Sequence, residues 1–193
     1  MPPPSPQTDP ELRRFLLEML PAGSVGVEIG VHQGDFSQAL LEIVAPAQLH
    51  LVDPWKHEPS PAYAKAWYGG RAEQGQAEMD ARHAAVLARF DREIQAGQVI
   101  VHRGCSEDVL PGLPDDSLDW VYIDGNHLYE FVARDLALSL AKTRPGGLVT
   151  GDDYAGGGWW GGGVKRAVDE LAEAGAARLV MIQDRQFVFE KQG

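Results

Sequence analysis

Cysteine is almost absent from this chain: Cys105 stands alone among 193 residues. A lone thiol makes no intramolecular disulfide and no cysteine-based zinc site, which fits a reducing compartment. Basic residues are scarce as well. Seventeen lysines and arginines face 28 acids, for a formal net charge of −11, and no basic stripe interrupts the acidic excess. That balance argues against nucleic acid and anionic membrane as partners and fits a site that collects cations. No apolar run approaches the roughly 18 residues that a spanning helix needs. The N-terminal M-P-P-P-S-P-Q-T-D-P lacks the basic stretch and apolar run of a signal peptide. The expectation is a cytoplasmic protein.

What is present is ordinary globular composition, 44% apolar and 23% charged, in a length that suits one domain with a sizeable core. Residues 1–10 hold five prolines and read as an extended tail, leaving 11–193 as a single domain. Helical spacing of Leu12, Phe15, Leu16 and Leu20 predicts a first helix, which Pro21 and Gly23 stop. V-G-V-E-I-G-V reads as a buried strand, followed by a helix over 36–44. Strands are expected over 48–53, 99–102, 117–123 and 148–150, with a turn at 144–147. Helices are expected over 80–95, 129–140 and 164–174. Residues 178–182 and 186–190 form a terminal hairpin. Residues 54–79 are irregular and rich in Trp, Tyr, Gly and Pro, as lids and binding loops often are. Strand and helix alternate five times before the hairpin, which predicts a mainly parallel α/β sheet with helices on both faces.

Ligands of such sheets bind beyond the carboxyl ends of the strands, and three groups sit at such ends. Gly30 and Gly34 lie in the turn after the first strand, where glycine lets backbone approach a ligand. Asp53 ends the second strand, where an acid can accept both ribose hydroxyls. Asp124 ends the fourth. The turn lacks the third glycine of a dinucleotide fingerprint. Glu28 before it and Asp35 after it would repel a pyrophosphate but suit a cationic ligand. S-adenosylmethionine is therefore favoured over NAD.

V-E-I-G-V-H-Q-G-D-F-S, L-H-L-V-D-P-W, V-H-R-G-C-S, L-D-W-V-Y-I-D-G-N-H-L-Y-E and R-P-G-G-L-V-T-G-D-D-Y, in that order over about 24–170, resemble the class I S-adenosylmethionine-dependent methyltransferases. More narrowly, the chain resembles the small bacterial branch related to macrocin-type, metal-dependent sugar O-methyltransferases. The resemblance implies a Rossmann-like three-layer α/β/α sandwich with a seven-stranded sheet and a C-terminal antiparallel hairpin. It implies that Glu28 and Gly30 lie near the methionine part, Asp53 at the ribose, Cys105 and Ser106 near the adenine, and Asp124 toward the sulfonium. Gly30 and Gly34 could instead serve strand packing, Asp53 could open a turn, and Cys105 reads best as a small packing residue.

Methyl transfer to a hydroxyl needs orientation and removal of a proton. Asp124, Asp152 and Asp153 end adjacent strands and are the expected oxygen ligands of Mg²⁺ or another divalent cation; metal-dependent relatives place ligands at the matching positions. Capping of the glycine-loop backbone is the plain alternative for Asp152 or Asp153. His127 is the favoured base. The sugar-methylating relatives carry an acid where this chain has Asn126 or His127, which leaves one of the aspartates as the other candidate. Trp159, Trp160 and Tyr154 around the six-glycine segment 155–163, with Trp55, Trp67 and Tyr68, suggest a pocket for a sugar or aromatic acceptor. Lys165 and Arg166 either meet an anionic group of the acceptor or pair with Asp169 and Glu170. Glu130 reads as a helix N-terminal charge and Asp135 as solvated or salt-bridged.

The expected activity is thus O-methylation of a small-molecule hydroxyl. The rivals are an NAD-dependent oxidoreductase and a non-catalytic module that keeps the fold. The tail and first helix could also pack on a second copy of the chain.

Overall fold

Buried side chains alternate between the two faces along each central strand, so both faces need a cover of helices. The computed structural model describes residues 13–66, 68 and 72–193; the expected tail at 1–10, the start of the first helix and Trp67 lie outside these. Seven strands are described: β1 Val25–Ile29, β2 Gln48–Asp53, β3 Val99–Arg103, β4 Leu118–Ile123, β5 Thr143–Gly151, β6 Ala177–Gln183 and β7 Gln186–Lys191. They form one sheet in the order β3-β2-β1-β4-β5-β7-β6. All pairs are parallel up to β5; β7 joins antiparallel to both β5 and β6.

Helices α1 Arg14–Met19, α2 Asp35–Ala39 with a wider turn over Leu40–Val44, α3 Gln76–Arg89 and α4 Asp91–Gln95 precede β3 or flank its side of the sheet. The short α5 Ser106–Val109, then α6 Tyr129–Lys142 and α7 Gly163–Ala174, follow. On one face, Leu16, Leu40, Met79 and Val86 pack against Leu49, Leu51, Trp120 and Tyr122. On the other, Val132, Leu136, Val164 and Val168 pack against Val27, Ile29, Val121 and Val149. The result is the expected Rossmann-like three-layer sandwich. Burying one of these large aliphatic side chains contributes about 1.5–3 kcal/mol. No helix among the described residues is long and apolar enough to cross a membrane.

Three local expectations change. The helix expected over 80–95 starts earlier and breaks at buried Phe90, giving α3 and α4. The turn expected at 144–147 lies within β5, where the register with β4 jumps between Leu118–Thr143 and Trp120–Leu148; Gly146, at φ 77°, absorbs the irregularity. Within 54–79, a 3-10 turn over Pro61–Tyr63 is described ahead of α3.

Candidate active site

The turn after β1 is shaped by close packing of strand ends. Gly30 has φ 92°, and a Cβ there would lie 2.1 Å from the carbonyl oxygen of Asp124. Only glycine lets the end of β1 lie this close to the end of β4. Gly34 has φ 81° and turns its bare face toward the Phe90 ring, behind the cavity wall. Asp53 organises the same turn. Its Oδ2 accepts the N–H groups of Val31 at 3.0 Å and His32 at 2.9 Å, and its Oδ1 accepts from Trp55 N–H at 2.7 Å and from the Tyr68 hydroxyl. Burial pushes its pKa up against the pull of these donors.

Glu28 is wholly buried and accepts a hydrogen bond from Ser37. Burial raises its pKa to about 8, with the Ser37 hydroxyl opposing. The protonated form therefore dominates at neutral pH until a positive group arrives beside it. Cys105 and Ser106 line the same cavity at the start of α5. Burial pushes the Cys105 thiol upward, and Ser106 donates to Asp135. Asp135, expected in solvent or in a salt bridge, is buried because α6 turns it toward the sheet, and its pKa rises to about 6.

The acidic rim groups differently from the expected trio. Asp124 Oδ1, His127 and Asp153 Oδ2 converge, and the ligand atoms of these three residues lie within 4.8 Å of one another. His127 Nε2 is 2.9 Å from Asp153 and 3.4 Å from Asp124. Asp152 belongs to another set: its Oδ1 accepts from Gln186 Nε2 at 2.5 Å and from the Asp153 N–H at 2.6 Å, and its Oδ2 is held by Arg13. Arg13 also reaches Asp124 Oδ2 at 3.3 Å, and Arg185 binds Asp153 Oδ1. Burial works against the charge on Asp124, yet its hydrogen bond with His127 and the nearby Arg13 hold its carboxyl below the ordinary value. Burial and the neighbouring Asp124 push Asp152 up to about 7.

Sequence reasoning missed both arginines. Arg13 comes from the N-terminal edge of α1, with its guanidinium 5.2 Å from the Phe36 ring centroid and 5.9 Å from that of Tyr122. Arg185 sits in the two-residue turn between β6 and β7, where Asp184 and Arg185 both have positive φ. Such a turn is legible as a hairpin, but nothing local says that its side chain reaches back to Asp153.

A cavity of about 910 Å³ joins the Gly30–Asp53 turn at one end to Asp124, His127 and Asp153 at the other. Tyr63, Trp159 and Trp160 close the latter end. Trp159 meets Tyr63 and His127 edge-on, at 5.4 and 5.9 Å between ring centres, and Asn126 Nδ2 donates to the Tyr63 hydroxyl at 2.8 Å. Trp55, expected among these aromatics, is fully buried in the core. Tyr154 donates to Asp169. Lys165 and Arg166 pair with Asp169 and Glu170 one helical turn away, outside the cavity.

A family model described as a methyltransferase domain matches residues 27–154. A search of curated proteins gave no significant match. Among solved structures, the chain resembles the O-methyltransferase TomG of Streptomyces achromogenes, involved in tomaymycin synthesis and solved with S-adenosylmethionine. The TM-score is 0.64 at 19% identity, covering 98% of this chain and 81% of that one. An O-methyltransferase from Bacillus cereus, solved with S-adenosylhomocysteine, gives 0.61 at 15% identity over 98% and 82% of the two chains. The O-methyltransferase NovP gives 0.62 at 22% identity over 95% and 79%. Family match, strand order and the glycine turn agree: the chain belongs to the class I S-adenosylmethionine-dependent methyltransferases.

Proposed function

We propose that this enzyme methylates a hydroxyl of a small molecule, sugar or aromatic, bound at the tryptophan end of the cavity. The observation that carries the reading is the continuity of one cavity from the Gly30–Asp53 turn to His127. Its volume lies within the range of small-ligand sites and leaves room for an acceptor beside a nucleoside cofactor. The methyl donor lies with its ammonium toward Glu28 and its ribose toward Asp53.

The acceptor oxygen attacks the methyl carbon as the sulfonium sulfur leaves, and the hydroxyl proton passes to a base. His127 takes it. A carboxylate only accepts hydrogen bonds, so the 2.9 Å contact with Asp153 keeps the ring proton on Nε2 and leaves Nδ1 basic. Asp124 and Asp153 then stabilise the imidazolium that forms. Trp159 and Trp160 exclude water and orient the acceptor.

The residues also fit one divalent cation, since two carboxylate oxygens and one imidazole nitrogen converge within 4.8 Å. Asp124, His127 and Asp153 would hold it. Such an ion would lower the pKa of a bound hydroxyl; with it, His127 would serve as a ligand through Nε2, its ring proton would sit on Nδ1, and it would not act as the base. The test is calorimetric titration with S-adenosylhomocysteine, followed by a methyl-transfer assay over sugars, phenols and catechols, with and without chelator. Micromolar binding and turnover of at least one hydroxyl acceptor are expected. Cofactor binding without transfer to any hydroxyl, or transfer to amines alone, overturns the reading.

A further inference from the structure

His32 has one polar group that the chain leaves open. The residue lies between Gly30 and Gly34 in the turn after β1, at φ 55°, a left-handed conformation that a side chain makes costly. Its backbone is fully engaged. The N–H donates to Asp53 Oδ2 at 2.9 Å, and the carbonyl accepts from Trp55 Nε1 at 2.9 Å. In the ring, Nε2 lies 2.9 Å from an Nη of Arg82. A guanidinium only donates, so Nε2 presents its lone pair there and the single ring proton sits on Nδ1. Arg82 is itself held on α3 by Glu78. Burial and the Arg82 charge lower the imidazole pKa to about 4, against the pull of Asp35, Asp124 and Glu78, so the ring is neutral at pH 7. Nδ1 has no hydrogen bond to the chain among the described residues, and it is not among the enclosed unpaired atoms, which belong to Ser139, Thr143 and Trp160. The residue lines the cavity beside Asp53.

Asp53 meanwhile accepts hydrogen bonds from Val31, His32, Trp55 and Tyr68. That is about the capacity of a carboxylate. A ribose edge brought against it therefore needs a further polar partner, and one that donates, because every hydroxyl oxygen also carries lone pairs. We propose that His32 is that partner, donating its Nδ1 proton to a ribose oxygen of the methyl donor, and that Arg82 is a positioning residue that fixes the ring for this contact. The inference rests on the reading above that places the ribose toward Asp53. The arrangement also keeps a second positive charge away from the sulfonium, since Arg82 opposes protonation of the ring.

The test is titration calorimetry of the full chain with S-adenosylhomocysteine and with 5′-methylthioadenosine, which keeps the ribose and lacks the amino-acid part. His32→Ala removes the donor. His32→Asn retains one, because Asn Nδ2 is bonded to Cγ as His Nδ1 is, and Asn tolerates positive φ. His32→Ala is expected to weaken both ligands about tenfold, whereas His32→Asn stays within threefold of the wild type. Arg82→Met leaves position 32 intact and is expected to weaken both ligands at least threefold. Ring 15N spectra of His32 at pH 7 should show a protonated Nδ1 and a bare Nε2 in the wild type, and a mixture of tautomers in Arg82→Met. The Nδ1 resonance should move when 5′-methylthioadenosine is added, a response that a purely structural histidine would not give. Unchanged 5′-methylthioadenosine affinity in His32→Ala, His32→Asn as weak as His32→Ala, or an Nε2-protonated ring in the wild type overturns the proposal. A loss confined to S-adenosylhomocysteine puts the contact at the amino-acid part and overturns it as well. If His32→Ala does not fold, the Arg82→Met affinities and the wild-type spectrum decide. Normal wild-type binding alongside any adverse result overturns the role of His32 alone, whereas a wild type that binds neither ligand counts against the methyl-donor reading itself.

Discussion

Arg13 and Asp152 form an ion pair across 139 positions of the chain. Burial disfavours both charges; Arg13 is sustained by Asp152 and by Asp124 beside the same guanidinium, whereas Asp152 is sustained by Arg13 against both burial and the neighbouring Asp124. Repulsion among three converging acids is thus relieved from within the chain. A count of aspartates along the sequence suggests an external cation at all three; the fold assigns one of them to an arginine.

His127→Ala is expected to lower kcat by 10²- to 10⁴-fold, the usual contribution of a positioned base. Affinity for S-adenosylhomocysteine should stay within threefold, because His127 lies at the end of the cavity away from the glycine turn. Steady-state kinetics together with calorimetry check both halves. Full activity in the variant removes His127 from the chemistry.

Glu28 makes the free protein sensitive to alkali. Its folded pKa of about 8 exceeds the ordinary carboxyl value, mainly through burial. The stability it contributes is complete below the unfolded pKa and is lost as pH rises through the folded one. Buried His32 and His50, with pKa values lowered to about 4, act oppositely, but their contribution is complete above about 6.5. Between pH 6.5 and 8.5 the net trend is therefore a loss, about 2 kcal/mol from Glu28, with Asp152 adding in the same direction. Melting temperatures across this window should fall for the wild type and fall less for Glu28→Gln. An equal slope in both assigns the effect elsewhere.

Gly30→Ala is expected to destabilise the fold by about 3 kcal/mol or more. The residue sits at φ 92°, and the added carbon meets backbone of Asp124 rather than a movable side chain. Urea denaturation measures it. A change below about 1 kcal/mol would mean that β1 and β4 can separate at little cost.

Trp159→Ala is expected to raise the acceptor KM about tenfold, which corresponds to about 1.4 kcal/mol. Its ring contacts are with Tyr63 and His127, at the end of the cavity away from the glycine turn. Cofactor affinity should be unchanged, so parallel titrations separate loss of acceptor binding from general loosening of the loop.

The layers of the fold were legible because their signals are local. The apolar segments V-G-V-E-I, L-H-L-V-D and L-D-W-V-Y-I end in the glycine or acid that marks a strand's carboxyl end, and the structure builds β1, β2 and β4 from them. The hairpin of β6 and β7 was legible from two short apolar runs about a turn. Less clear was the break at Phe90, because helical spacing continues through it while the ring turns into the core. Trp55 read as a binding aromatic only because it lies in an irregular segment; its burial depends on packing against distant elements, His83 of α3 among them.

Residue order along the chain was enough to set the parallel sheet, the glycine turn and the convergence of Asp53, Asp124 and the Asp152–Asp153 pair on one rim. Each of these follows from local geometry, since a strand delivers its last residues to the sheet's carboxyl edge. Tertiary structure alone decided how the rim is partitioned. Arg13 from α1 and Arg185 from the last hairpin arrive from opposite ends of the chain, and their charges act through space over a few ångströms. Coulomb interactions in a buried setting depend on separation and desolvation rather than on sequence distance, so the grouping of Asp124 with His127 and Asp153, and of Asp152 with Arg13, exists only once the chain has folded.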